Sequence, residues 1–115
     1  MPDDNITLAD LCARVRAFVD ERDWEQFHTP KNLSMSIAIE AAELMAEFQW
    51  LTGPQSQGAW ADQVQRQRIR YELADVIIYC LSLANALDID LSQAVIDKLA
   101  LNARKYPVEV CRGRL

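Results

Sequence analysis

Residues 76 to 81, Val-Ile-Ile-Tyr-Cys-Leu, put an apolar or aromatic side chain on nearly every side of a helix. A helix that is greasy all round must be covered all round. The surrounding stretch, Leu73 to Leu87, contains Asp75, Ser82 and Asn85 and falls short of the roughly 18 to 20 apolar residues that a membrane span requires. It therefore belongs in a protein core. A chain of 115 residues closes to a radius of gyration near ~13 Å and buries one core, with little room left for a deep private pocket. Two arrangements satisfy residues 76 to 81: the central helix of a monomer, or a helix shared with a symmetric partner chain. Three partner helices in so small a bundle are few for the task, so the shared helix is the expectation, and an active site is expected to borrow surface from a second subunit.

The rest of the chain repeats the helical period. Three Gly and four Pro fall almost entirely at boundaries, and no stretch alternates apolar and polar residues convincingly. The class predicted is all-α, a single four-helix unit spanning residues 1 to 115. The first helix opens at Thr7, paired with Asp10 for capping, buries Leu8, Leu11, Val15, Phe18 and Val19, and ends near Arg22. After a linker from Asp23 to Thr29, Pro30 suits the first turn of a second helix, capped by Thr29 or Asn32, which runs to Trp50 or Leu51 and stops at Gly53 and Pro54. Gly53 to Ala61 reads as a loop. Asp62 with Gln65 caps a long third helix reaching Leu87, and Asp90 or Ser92 caps a fourth that buries Leu91, Val95 and Leu99 before Pro107 closes it.

Charge narrows the partners. With 12 Lys+Arg against 17 Asp+Glu the net charge is -5, a field that repels phosphate backbones, and nucleic acid is not expected as a partner. Cys12, Cys80 and Cys111 are odd in number, widely spaced and without a CxxC or Cys/His pattern, which reads as reduced thiols in a cytoplasmic protein. Met1 to Leu8 carries Asp3 and Asp4 with no apolar run behind a basic start, so neither a signal peptide nor membrane attachment is expected.

Glu40, Glu43 and Glu47 stand at i, i+3 and i+7 on the second helix, within roughly 60 degrees of one another around its axis. Glu72 and Asp75 repeat the spacing on the third, with Tyr79 on the same line. Like charges ~6 Å apart at an effective dielectric near 20 repel by ~3 kcal/mol per pair, so such a cluster between helices makes sense mainly when a cation neutralises it. Solvated acidic faces are the bland alternative. Against it, Glu40 and Glu43 are set among Ile37, Ala41, Ala42, Leu44 and Met45, and Asp75 directly precedes the apolar run. Di-iron bundles need Glu-x-x-His on two helices, whereas the one histidine, His28, lies in the linker. All-oxygen ligands point to Mg²⁺, with Mn²⁺ as a substitute, and hence to phosphate chemistry. Glu47, a turn further along, is as readily a supporting or solvated residue as a ligand.

Phosphates also call for cations. Lys98, Asn102 and Lys105 share one face of the fourth helix, although a solvated basic face near a helix carboxyl end accounts for them as well. Trp24, Trp50 and Tyr79 lie close to the acids in sequence and can sandwich a base by stacking, or simply pack in the core.

These pieces together resemble the all-α nucleoside triphosphate pyrophosphohydrolases of the MazG-like kind, and within them the deoxycytidine triphosphate pyrophosphatases. The resemblance is carried by Glu21-Arg22-Asp23-Trp24-Glu25-Gln26-Phe27-His28, Pro30 with Asn32-Leu33, Glu40-x-x-Glu43-Leu44, Phe48-Gln49-Trp50, Glu72-Leu73-x-Asp75-Val76-x-Ile78-Tyr79, and Lys98 to Asn102 with Tyr106-Pro107. It implies Mg²⁺-dependent hydrolysis between the α and β phosphates of a nucleoside triphosphate, such as the pyrimidine dCTP, to monophosphate and pyrophosphate, in the service of nucleotide-pool sanitation. It further implies Glu40, Glu43, Glu72 and Asp75 as metal ligands and catalytic residues, Trp24, Trp50 and Tyr79 as the base pocket, and Lys98, Asn102 and Tyr106 as phosphate or sugar contacts. A homodimer or homotetramer is implied as well. Two positions depart from the pattern: the deoxycytidine group carries a histidine in the first helix where this chain has Val15, and Ile39 stands where the broader family often has a second glutamate before Glu40. From another class, a non-catalytic helical dimerisation module with an acidic divalent-ion groove is the competing reading.

Overall fold

The computed structural model describes residues 1 to 114, and among them there are helices and no strand. Four long helices carry the fold: α1 (Leu8–Glu21), α2 (Pro30–Ala46), α4 (Gln63–Leu87) and α5 (Leu91–Lys105), with short α3 (Gly53–Gly58) and α6 (Val108–Cys111) between and after them. Their starts follow from side chains that satisfy the first free amides of a helix. Thr7 Oγ1 accepts from Asp10 N at 3.1 Å while Asp10 Oδ2 accepts from Thr7 N at 2.9 Å. Thr29 caps α2 ahead of Pro30, Asp62 accepts from Val64 N and Gln65 N, and Asp90 accepts from Gln93 N. Asp88, at φ 55°, turns the chain out of α4 through a left-handed residue that aspartate tolerates better than most.

Two segments differ from the sequence expectation. The α2 helix stops at Ala46, and Glu47 to Trp50 continue as tight turns closed by bonds such as Phe48 N to Met45 O. Gly53 to Ala61 is not a loop: Thr52 and Gln55 form a reciprocal capping pair that starts α3, and a 3₁₀ turn (Ala59–Ala61) leads from it toward α4. Glycine and proline at the start of α3 read as breakers, yet both are well placed at a helix amino end.

Packing centres on α4, which lies against α2 along much of its length and against α1 on another side. Leu33 from α2 and Ile69, Leu81 and Ala84 from α4 form most of the buried apolar core, joined by Ala59 of the 3₁₀ turn. The α5 helix makes at most marginal contact with the others. Its expected buried stripe is therefore not covered within the chain: Val95 and Leu99 are 48% and 62% exposed and Leu91 is only half-buried. On α1 the same correction applies to Leu8 and Phe18, which are exposed, while Leu11, Val15 and Val19 are half-buried. The radius of gyration, 17.1 Å, exceeds the ~13 Å of a closed domain of this length because α5 finds no helix to lie on. Among the described residues no helix is long and apolar enough to cross a membrane.

Candidate active site

The α2–α4 contact brings acids together. Glu40 and Glu43 sit one turn apart on α2, Glu72 faces them from α4, and a carboxylate oxygen from each lies within 4.8 Å of the other two. The Oε2 atoms of Glu40 and Glu72 have lost their solvent and have no hydrogen-bond partner. Removing carboxylate oxygens from water without replacing the lost bonds is unfavourable, most of all for the charged form. Burial pushes the Glu40 carboxyl above the ordinary glutamate range, helped by the close approach and charge of Glu43 and then by the charges of Asp75 and Glu72. Glu72 is raised for the same reasons: burial first, then the charges of Glu43 and Asp75, the close approach of Glu43, and the charge of Glu47. Hard oxygen donors, mutual repulsion and buried oxygens with nothing to bind make a donor set that fits a divalent cation.

Asp75 stands beside this trio and does not join the three oxygens that converge. It also lines a cavity of about 840 Å³ between α1 and α4, together with Val15, Phe18, Trp24, Ile78 and Tyr79. Trp24 meets Phe18 edge to face, with centroids 5.8 Å apart and planes at 72°, and the Arg22 guanidinium lies 3.6 Å above the Phe18 ring. A mostly apolar hollow of this size, with Asp75 and Tyr79 on one wall and Asp3, Arg14 and Arg70 also in its lining, suits a small organic ligand that carries polar groups. Val15 faces the same cavity, which makes its departure from histidine a change in the lining. His28 and Ser82 line it too, and they join it to a smaller cavity of about 240 Å³ that holds Arg16 and Asn85.

The remaining expected site residues are not gathered within the chain. Trp50 lies in the turns after α2 at 87% exposure and does not line the cavity. Lys98 and Asn102 ride on α5 and Tyr106 ends it, away from the carboxylates because α5 packs on neither α2 nor α4 to any extent. In the other direction, the structure singles out a residue that the sequence reading passed over. Arg68 donates from Nε to Glu47 Oε2 at 3.2 Å, joining the end of α2 to α4 directly beside the acidic trio. The signal was present: Arg68 precedes Glu72 by four residues, on the same face of one helix.

Residues 35–113 match the MazG-like family. The chain is 43% identical over 111 residues to dCTP pyrophosphatase 1 of Mus musculus and 42% identical over the same length to that of Homo sapiens, covering 93% of this chain in both cases. It spans 63% of the length of these curated relatives. A crystal structure of a pyrophosphatase from Archaeoglobus fulgidus superposes with a TM-score of 0.80 at 39% identity, over 86% of this chain and 91% of that one. With acids placed as α2 and α4 place them, and with likeness running along nearly its whole length, the chain belongs to the MazG-like family.

Proposed function

We propose that this protein hydrolyses a nucleoside triphosphate, with dCTP or a related pyrimidine nucleotide as substrate, to the monophosphate and pyrophosphate in a Mg²⁺-dependent reaction. The observation that carries the reading is the convergence of Glu40, Glu43 and Glu72 with two buried, unpartnered oxygens, next to an aromatic-lined cavity that shares Asp75 with the cluster's surroundings. The names of the relatives, dCTP pyrophosphatase 1, support the choice of substrate.

Glu40, Glu43, Glu72 and Asp75 would hold Mg²⁺, for which all-oxygen carboxylate ligands leaving room for phosphate oxygens are suited. When bound, the ion supplies charge withdrawal at phosphate oxygens and makes a nearby water more acidic. The chain's own residues do the rest. A carboxylate of the four that is not committed to metal accepts the proton of the water that adds across the α–β phosphate link. Trp24 offers a ring for the base, and Tyr79, on the cavity wall beside Asp75, orients the nucleoside end. For Lys98, Asn102, Tyr106 and Trp50 to touch substrate they must come from another copy, since this chain leaves them away from its own carboxylates. A homo-oligomer meets that need and covers the exposed apolar face of α5.

The test is a panel of nucleoside triphosphates incubated with Mg²⁺ and assayed for pyrophosphate and orthophosphate. Pyrophosphate and monophosphate in equal amounts, with a pyrimidine preferred, is the expected result. Orthophosphate alone means a different bond is cut, and no turnover at high enzyme concentration returns the protein to the class of ion-binding helical modules.

A further inference from the structure

Of the ion pairs among the described residues, Met1–Asp4 and Arg22–Glu21 link near neighbours at the surface, and Arg68–Glu47 alone joins the two helices that carry the carboxylates. Its geometry is asymmetric. The Glu47 side chain is 16% exposed whereas that of Arg68 is 59% exposed. A guanidinium has five N–H donors in a planar fork, and here Nε is the one engaged, at 3.2 Å from Glu47 Oε2. The Nη1 and Nη2 ends have no hydrogen-bond partner among the described residues, and the side chain is exposed. An arginine held by Nε with its terminal fork free is prepared for bidentate binding of a phosphate.

Position along α4 says which phosphate. Tyr79, on the cavity wall, lies seven residues beyond Glu72, about 10 Å along the axis, and Arg68 lies four residues before it, about 6 Å in the opposite direction. A nucleotide with its nucleoside in the cavity and its α-phosphate at the carboxylates runs its β and γ phosphates toward Arg68. Among the described residues, Arg66 donates to Trp60 O and Lys98 rides on the unpacked α5, while Arg14 and Arg70 line the cavity itself, Arg70 donating to Gln67; Arg68 is the cation paired with Glu47 beside the carboxylates.

We infer that Arg68 binds the β,γ end of the substrate, the part that leaves as pyrophosphate, and that Glu47 is a positioning residue that orients its guanidinium. This rests on the pyrophosphohydrolase reading above. It gives Glu47 a reason to sit beside an already overcharged cluster: it steadies the cation that the leaving group meets.

The experiment compares the wild type with Arg68→Gln, Arg68→Lys and Glu47→Gln, each checked for a cooperative melt. Turnover is measured together with competitive inhibition by inorganic pyrophosphate and, separately, by the nucleoside monophosphate, all in Mg²⁺. Losing a charge-assisted fork raises KM for the triphosphate and Ki for pyrophosphate by about tenfold or more in Arg68→Gln, while Ki for the monophosphate stays within about twofold. Arg68→Lys keeps the charge without the fork and recovers part of the loss, and Glu47→Gln shifts the pyrophosphate constant in the same direction by less. Equal weakening of pyrophosphate and monophosphate, or an Arg68→Gln variant indistinguishable from wild type, overturns the assignment. A wild type that releases no pyrophosphate from any triphosphate defeats the proposed function instead. Calorimetric titration of Mg²⁺-pyrophosphate into wild type and Arg68→Gln then still decides whether Arg68 holds it.

Discussion

Glu40 and Asp75 bear the sharpest consequence of reading the acidic cluster as a cation site. Replacing Glu40 with Gln, or Asp75 with Asn, keeps the shape of the side chain and removes one negative charge from a group whose members already repel. Both variants are expected to lose Mg²⁺-dependent turnover, to melt higher than wild type without metal, and to gain much less from added Mg²⁺, which stabilises by binding only the native arrangement. Melting curves with and without Mg²⁺, run beside a pyrophosphate-release assay, check all three. Variants that melt lower, keep the Mg²⁺ shift and keep turnover would place these acids in solvent. The raised carboxyls of Glu40 and Glu72 add a pH dependence. A carboxyl whose folded pKa lies above its unfolded value, ordinarily about 4.3, leaves the native state with more bound protons in the window between the two. Stability contributed by these two groups thus falls as pH rises through that window. Metal-free protein should gain melting temperature when acidified from neutrality toward the raised values, and the shift caused by Mg²⁺ should shrink over the same interval. A metal-free melting point that only declines on acidification contradicts this.

Among the elements, α4 does the structural work, because it is the helix against which both α1 and α2 are packed. Leu81 on α4 and Leu33 on α2 are 2% and 1% exposed. Truncating either to Ala removes buried methyl groups and leaves a cavity, at a cost of about 2 to 5 kcal/mol. Urea titration should show this loss for both, whereas Val95→Ala on exposed α5 should change little in the isolated chain and more in an assembly that covers it. The caps show why element boundaries were readable from residues: Thr7 with Asp10 and Asp62 with Gln65 are local patterns, spent within one turn of chain. The early end of α2 at Ala46 and the helix at Gly53–Gly58 were not readable in the same way. Residues 47 to 50 continue an apolar and acidic helical pattern, and a Gly-Pro pair signals a break equally well whether a helix stops or starts there.

For the whole molecule, the question is what covers the apolar surface that one copy leaves bare. Ile77 and Ile78 on α4 are 43% and 42% exposed, Leu99 and Leu101 on α5 are more than half exposed, and α5 reaches out from the α1–α2–α4 core. An apolar exposure this broad, in a chain whose radius of gyration exceeds that of a closed domain, is the ground on which we propose a homo-oligomer. Sedimentation at micromolar concentration should show a dimer or larger species. Substituting Leu99 with Glu should shift the population toward single chains and lower the melting temperature. A wild type that sediments only at single-chain mass would reject the oligomer and, with it, any part for Lys98, Asn102 and Tyr106 at the carboxylate site.

What the sequence determined by itself was whatever short range decides. Helical period, caps and proline placement set the class and most of the helix starts, and the i, i+3 spacing put Glu40 and Glu43 on one face before any partner was known. The resemblance to a family supplied the chemistry. Tertiary structure alone decided which faces meet. The convergence of Glu72 on the α2 pair, the orphaning of two oxygens, the standing of Asp75 on the cavity wall, and the pairing of Arg68 with Glu47 across 21 positions all depend on how α2 lies against α4. The same packing withheld Trp50 and α5 from the site. A periodic pattern tells which side of a helix is buried, but the identity of the surface that buries it is a long-range property, set by the fit of whole helices.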